Sequence, residues 1–191
     1  MSVNVTVVTT ANRTCRFSLD TPQGMLALRH ALQRGAHLFS GKPLIVGSAQ
    51  QTEIFAAGAI ACIEVDTTNA DRAAELAALC PAIGQNPALR KLAQDEAARP
   101  FEGGLDGEHF SARLDFFFSG GHTLAMRAEG VRRASLAERL MNLTSLFERP
   151  LITYLLPDGG FGLMNPQALA RATVTPGVPE LPNDALPGTR V

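Results

Sequence analysis

The sequence predicts an α+β fold, mostly antiparallel, in which one β-β-α-β-β-β unit occurs twice about a pseudo-twofold axis, the copies joined by a helical linker. Three observations predict it. A stretch from Leu38 to Val65 recurs. Leu38-Phe39-Ser40-Gly41-Lys42-Pro43-Leu44-Ile45 returns as Leu146-Phe147-Glu148-Arg149-Pro150-Leu151-Ile152, Ile54-Phe55 as Leu163-Met164, and Ala59 to Val65 as Ala168 to Val174. The offsets then change only where chain length is cheap: Leu28 and Leu32 match Leu136 and Leu140, and the later gain falls in the turn Pro157-Asp158-Gly159-Gly160. Each copy also carries the same local signals, two alternating strands, an amphipathic helix and further short apolar runs. The boundaries that follow are 1–67 and 109–175 for the units, 68–108 for the linker and 176–191 for a tail.

In the first unit, Val3, Val5, Val7 and Val8 lie in a β-branched run, Ala11-Asn12-Arg13 interrupts it, and Cys15, Phe17 and Leu19 alternate with polar residues. That is a hairpin with one buried face. Thr21-Pro22 supplies a helix cap with proline at the first position, Met25, Leu28 and Leu32 supply the stripe, and Gly35 the stop. Pro43 to Gly47 is wholly apolar, which predicts a strand covered on both faces. Two further strands, from Ile54 and through Ile63 and Val65, end the unit.

The second unit repeats the plan with strands over Leu114–Phe118 and His122–Arg127 around Ser119-Gly120-Gly121. Ser135-Leu136-Ala137-Glu138 is a capping box opening a helix striped by Leu136, Leu140, Leu143 and Phe147. Pro150 to Leu155 is a strand, Asp158-Gly159-Gly160 a hairpin turn, Asn165-Pro166 a capped single turn, and Ala170 to Val174 the closing strand. In the linker, Thr68 or Asn69 caps one helix, and Asn86-Pro87 starts a second through Leu89, Leu92 and Ala93. Seven acidic against four basic residues make 68–108 a solvated strap. The prolines at 176, 179, 182 and 187 predict a tail outside both sheets.

Composition bounds function. The 191 residues are 46% hydrophobic and 18% charged, so the chain can bury a substantial core. A net charge of −1 and scarce aromatics, with no Trp and one Tyr, argue against a nucleic-acid partner. No apolar run approaches the ~20 residues needed to span a bilayer, and the amino terminus carries no secretory pattern, so the expectation is a cytoplasmic protein with no membrane partner. Cys15, Cys62 and Cys80 read as reduced, buried thiols.

Chemistry is harder to find. Gly159-Gly160-Phe161-Gly162 follows a strand but opens no helix, which removes a dinucleotide loop. His30, His37, His109 and His122 have no ligand spacing, so neither metal nor cofactor is expected. No nucleophile elbow is present. Glu53, Asp158 and Arg171 are candidates only if the units face each other. The local charge feature is Arg127, Arg132, Arg133 and Arg139, a candidate anion site around a helix start. The reading that follows is a non-enzymatic binding or assembly module that self-associates. The alternative is a small-molecule sensor or enzyme with its site between the units.

Overall fold

The computed structural model describes residues 2–48, 50–66, 69–79, 88–93, 96, 107–131, 147–177, 186 and 188. The fold is mixed α+β with a mostly antiparallel sheet. Strands β1 (Val3–Thr9) and β2 (Thr14–Leu19) form the first hairpin, followed by helix α1 (Pro22–Gln33). A second hairpin, β3 (Leu44–Gly47) and β4 (Thr52–Phe55), precedes β5 (Ile60–Asp66) and helix α2 (Ala70–Ala77). Then come β6 (Ala88–Lys91), β7 (His109–Phe118), β8 (Thr123–Val131), β9 (Ile152–Leu155), β10 (Phe161–Met164) and β11 (Leu169–Thr175). Among the described residues nine strands make one sheet in the order β11-β7-β8-β6-β9-β10-β5-β1-β2, and β3-β4 form a separate two-stranded sheet.

Local chemistry explains these elements. Thr21 accepts a hydrogen bond from the Gly24 N–H at 3.1 Å and starts α1, with Pro22 at the position that needs no donor. Asn69 caps α2 through the Arg72 N–H at 2.9 Å. Asn165 caps the single turn at Pro166–Ala168 through the Gln167 N–H. Its amide group also donates to the carbonyls of Ala57 and Ile60, which ties the turn to the start of β5. Arg29 of α1 is ion-paired to Glu75 of α2.

The two large hairpins share their bonding in detail. The Thr9 N–H bonds the Arg13 carbonyl, Asn12 N–H bonds Thr9, and Thr10 N–H bonds Ala59. The same three bonds recur 109 residues further on, from Phe118 to His122, Gly121 to Phe118 and Ser119 to Ala168. Asn12 and Gly121 both take positive φ, 59° and 94°, the left-handed position of each turn. A register shift falls between Val8 and Thr9 where β1 meets β5, and its counterpart falls between Leu169 and Arg171 where β11 meets β7.

Two apolar clusters lie on opposite faces of the shared sheet. The first gathers Val3, Val5, Val7, Ile63 and Val65 under Leu28, Leu32 and Leu76, and takes Phe161 and Leu163 from β10. The second gathers Phe116, Phe118, Leu124, Met126, Ile152, Tyr154 and Met164, and takes Val8, Ala61 and Cys62 from β1 and β5. Strand β5 therefore serves both clusters: Ile63 and Val65 point one way, Cys62 the other.

Two expectations are corrected. The second linker helix is absent where Leu89 lies, because residues 88–91 form β6, antiparallel to β8 and parallel to β9. Helix propensity is worth tenths of a kcal/mol per residue, less than ladder bonds plus the docking of Leu89 into the second cluster. The strand at Leu44–Gly47 is not covered on both faces, since Ile45 is 60% exposed beside Ile54 at 68%. Of the helix expected over 136–147 only Phe147 is described, and it is 40% exposed; Cys80 and most of the tail lie outside the described residues. No described helix is long and apolar enough to cross a membrane.

Candidate functional site

Three places concentrate chemistry or exposed binding surface. The first is a polar network inside the sheet where β5, β6 and β9 face the second cluster. Glu64 Oε1 accepts from Lys91 Nζ at 2.6 Å and from the Tyr154 hydroxyl at 2.8 Å. Strand geometry brings them together. Gly162, which pairs with both Glu64 and Tyr154, has no side chain and so leaves room for the Tyr154 ring. Burial, then the neighbouring Cys62 and Glu64, pushes the Tyr154 phenol well above its usual range. Burial likewise pushes the Cys62 thiol up to about 12, with the Tyr154 hydrogen bond opposing. Thiol and phenol both keep their protons at neutral pH, and the carboxylate is paired, so this network presents no activated nucleophile.

His122 stands nearby, at the contact between the two equivalent turns. Its backbone N–H bonds the Thr10 carbonyl at 2.9 Å, its Nδ1 lies 2.8 Å from Asn12 Oδ1, and its ring lies against Phe118. With Nδ1–H donating to Asn12, Nε2 is the bare nitrogen, and it is buried without a hydrogen-bond partner among the described residues. Burial, then the Lys91 charge, lowers the imidazole's affinity for a proton. The nearby Glu64 charge opposes this.

Because Glu64 is only 13% exposed and Lys91 33%, the pair tests the network's worth. Lys91→Met should destabilise by roughly 2 kcal/mol, the order for a hydrogen bond to a charged group left unmade. Adding Glu64→Gln should restore part of that loss in urea denaturation. An unchanged single variant would mean the pair is a surface ornament.

The second place is the face of β6, β7 and β8 turned away from the second cluster. Register puts Arg113 of β7 opposite Arg127 of β8, and Arg127 opposite Arg90 of β6. Three like charges in a row repel. Asp115 relieves Arg113 with contacts at 2.9 and 3.0 Å, and Glu129 lies 3.3 Å from Arg127. Arg90 is exposed. Beside them, Arg113, Asp115, Phe117 and Thr123 line a hollow of about 260 Å³. Of the anion candidates named from sequence, Arg127 belongs to this row; Arg132, Arg133 and Arg139 lie outside the described residues. Arg90 and Arg113 were missed, because only strand register joins them.

Glu53, Asp158 and Arg171 sit on three separate elements. Glu53 of β4 lies 3.7 Å from the Cys15 thiol, Asp158 is exposed in the β9–β10 turn, and the Arg171 guanidinium stacks 3.6 Å above Phe117. Cys15 and Cys62 are free thiols. Among the described residues, no group of three His, Cys, Asp or Glu could hold a metal ion.

The third place is the β3–β4 hairpin. Phe55 packs edge-on against Phe17, rings 6.2 Å apart, which holds the hairpin beside β2, while Ile45 and Ile54 face outward. Comparison with protein-family models, curated proteins and solved structures finds no match.

Proposed function

We propose that the chain is a non-enzymatic assembly module, built by internal duplication of one unit, whose exposed hairpin mediates self-association. The observation that carries the reading is the pair Ile45 and Ile54, directly opposite each other across β3 and β4 and more than half exposed. Adjacent large aliphatic groups left in water on an unjoined hairpin mark an interaction surface. The duplication draws support from the recurrence of the same turn bonds and the same register shift 109 residues apart. Core positions correspond as well: Val5, Val7 and Phe17 in the first cluster answer to Leu114, Phe116 and Met126 in the second.

Sedimentation velocity over a hundredfold concentration range tests this. Oligomers that dissociate on dilution are expected. A monomer throughout would remove the reading.

A site between the units has less to stand on, since near the β5–β10 junction Lys91 and Tyr154 both donate to Glu64. Anion binding keeps one specific observation, the Arg113–Arg127–Arg90 row. Pyrophosphate should then raise the thermal midpoint, and Arg90→Ala should abolish the rise; no rise would exclude this second reading.

A further inference from the structure

Among the described residues the join between β10 and β5 is made once, and its counterpart is left open. β10 lays Phe161 against Val65 and Leu163 against Ile63. Shifting each residue by the 109 that relates the hairpins gives Thr52 against Val174 and Ile54 against Ala172, on β4 and β11. Among the described residues neither strand uses that edge: β11 ends the nine-stranded order, and β4 pairs with β3 alone.

The backbone is in the right phase for the missing join. The Ser48 N–H bonds the Gln51 carbonyl at 2.7 Å, and the Leu156 N–H bonds that of Gly160 at 3.3 Å. Both hairpins therefore alternate alike. Thr52 and Ile54 turn their amides away from β3, as Phe161 and Leu163 turn theirs from β9 towards β5. On the other side, the Ser119 bond to Ala168 and the following register shift make Arg171 and Thr173 face β7. Ala172 and Val174 then point their amides outward. Donors and acceptors on the two edges match.

Symmetry says which molecule supplies the partner. Of the six steps from β11 to β5, five are antiparallel and one, β6 to β9, is parallel, so β5 runs opposite to β11. The cores also lie on opposite faces of the sheet. Reversed strands, reversed faces and unchanged strand order describe a half-turn combined with an advance along the sheet. Such an operation advances again when repeated; it leads out of the chain into another. Phe17 against Phe55 meanwhile keeps the hairpin beside β2, at the end of the sheet opposite β11.

Resting on the duplicated-unit reading, we propose that β4 of one chain adds antiparallel to the outer edge of β11 of a second copy, Thr52 opposite Val174 and Ile54 opposite Ala172. The contact is head to tail, each chain offering one hairpin and one edge. Ile54 then covers the margin of the neighbour's second core, the place Leu163 fills on the first. Ile45, beside it, is covered in the same step.

The test uses two full-length chains with different tags, both Cys15→Ser and Cys80→Ser, one carrying Ile54→Cys and the other Ala172→Cys. A short bismaleimide should join them when mixed and should join neither to itself. Ile54→Lys changes a residue 68% exposed, so the chain still folds, and its self-association should weaken at least tenfold. Oligomers that persist in Ile54→Lys without the mixed cross-link would overturn this pairing and leave the assembly reading standing. A wild-type monomer at every concentration would overturn both. A cross-link formed only when both cysteines sit on one chain would place the join within the molecule, and that too would overturn the proposal.

Discussion

Gly162→Ala should cost about 3 kcal/mol or more, at or beyond the upper end for an overpacked core. A β-carbon at Gly162 would clash with the Tyr154 ring, closest to Cζ and the two Cε atoms. The ring cannot swing clear, because Tyr154 is 1% exposed and its hydroxyl is fixed to Glu64. Relief requires moving β9 against β10 or giving up the hydrogen bond, and each breaks the junction between the two cores. Gly58→Ala is the control, since a β-carbon there meets nothing within 4 Å. Urea denaturation of the pair should separate them clearly. A Gly162→Ala protein as stable as the Gly58→Ala one would show that the tyrosine is not locked.

Leu32→Ala should cost roughly 2–5 kcal/mol, the range for removing a large side chain from a core. Leu32 is 2% exposed on α1, in the cluster with Leu28, Phe39 and Leu76. Leu26→Ala on the same helix, at 53% exposed, should stay within about 0.5 kcal/mol. Because Phe161 and Leu163 from the second half complete this cluster, Leu32→Ala should lower the melting of the whole described sheet in one transition. Calorimetry showing two transitions, with one unmoved, would mean the halves melt independently.

What was legible in the sequence was local. The β1–β2 turn, the Thr21 cap, the Asn165 turn and the strand after it each depend on a few neighbouring residues, and each lies where the sequence puts it. What was not legible depends on distant partners. Ala88 to Lys91 becomes a strand only because β8 and β9 flank it. Glu64 meets Lys91 across 27 positions and Tyr154 across 90, so no motif could announce the network. Arg90, Arg113 and Arg127 line up through register alone. The apolar run at Leu44 to Gly47 reads as doubly covered because buried strands have that composition. Its exposed face, with Ile45 and Ile54 in water, is where the structure departs from that pattern.

Amide hydrogen exchange, read residue by residue at two protein concentrations, tests the head-to-tail sheet most directly. The amides of Phe161, Leu163, Ile63 and Val65 lie in the internal join and should be protected at any concentration. Those of Thr52, Ile54, Ala172 and Val174 should exchange slowly in concentrated protein and fast on dilution, all four together. Exchange at these four that is equally fast at both concentrations would contradict the continued sheet, as would protection that survives in the monomer.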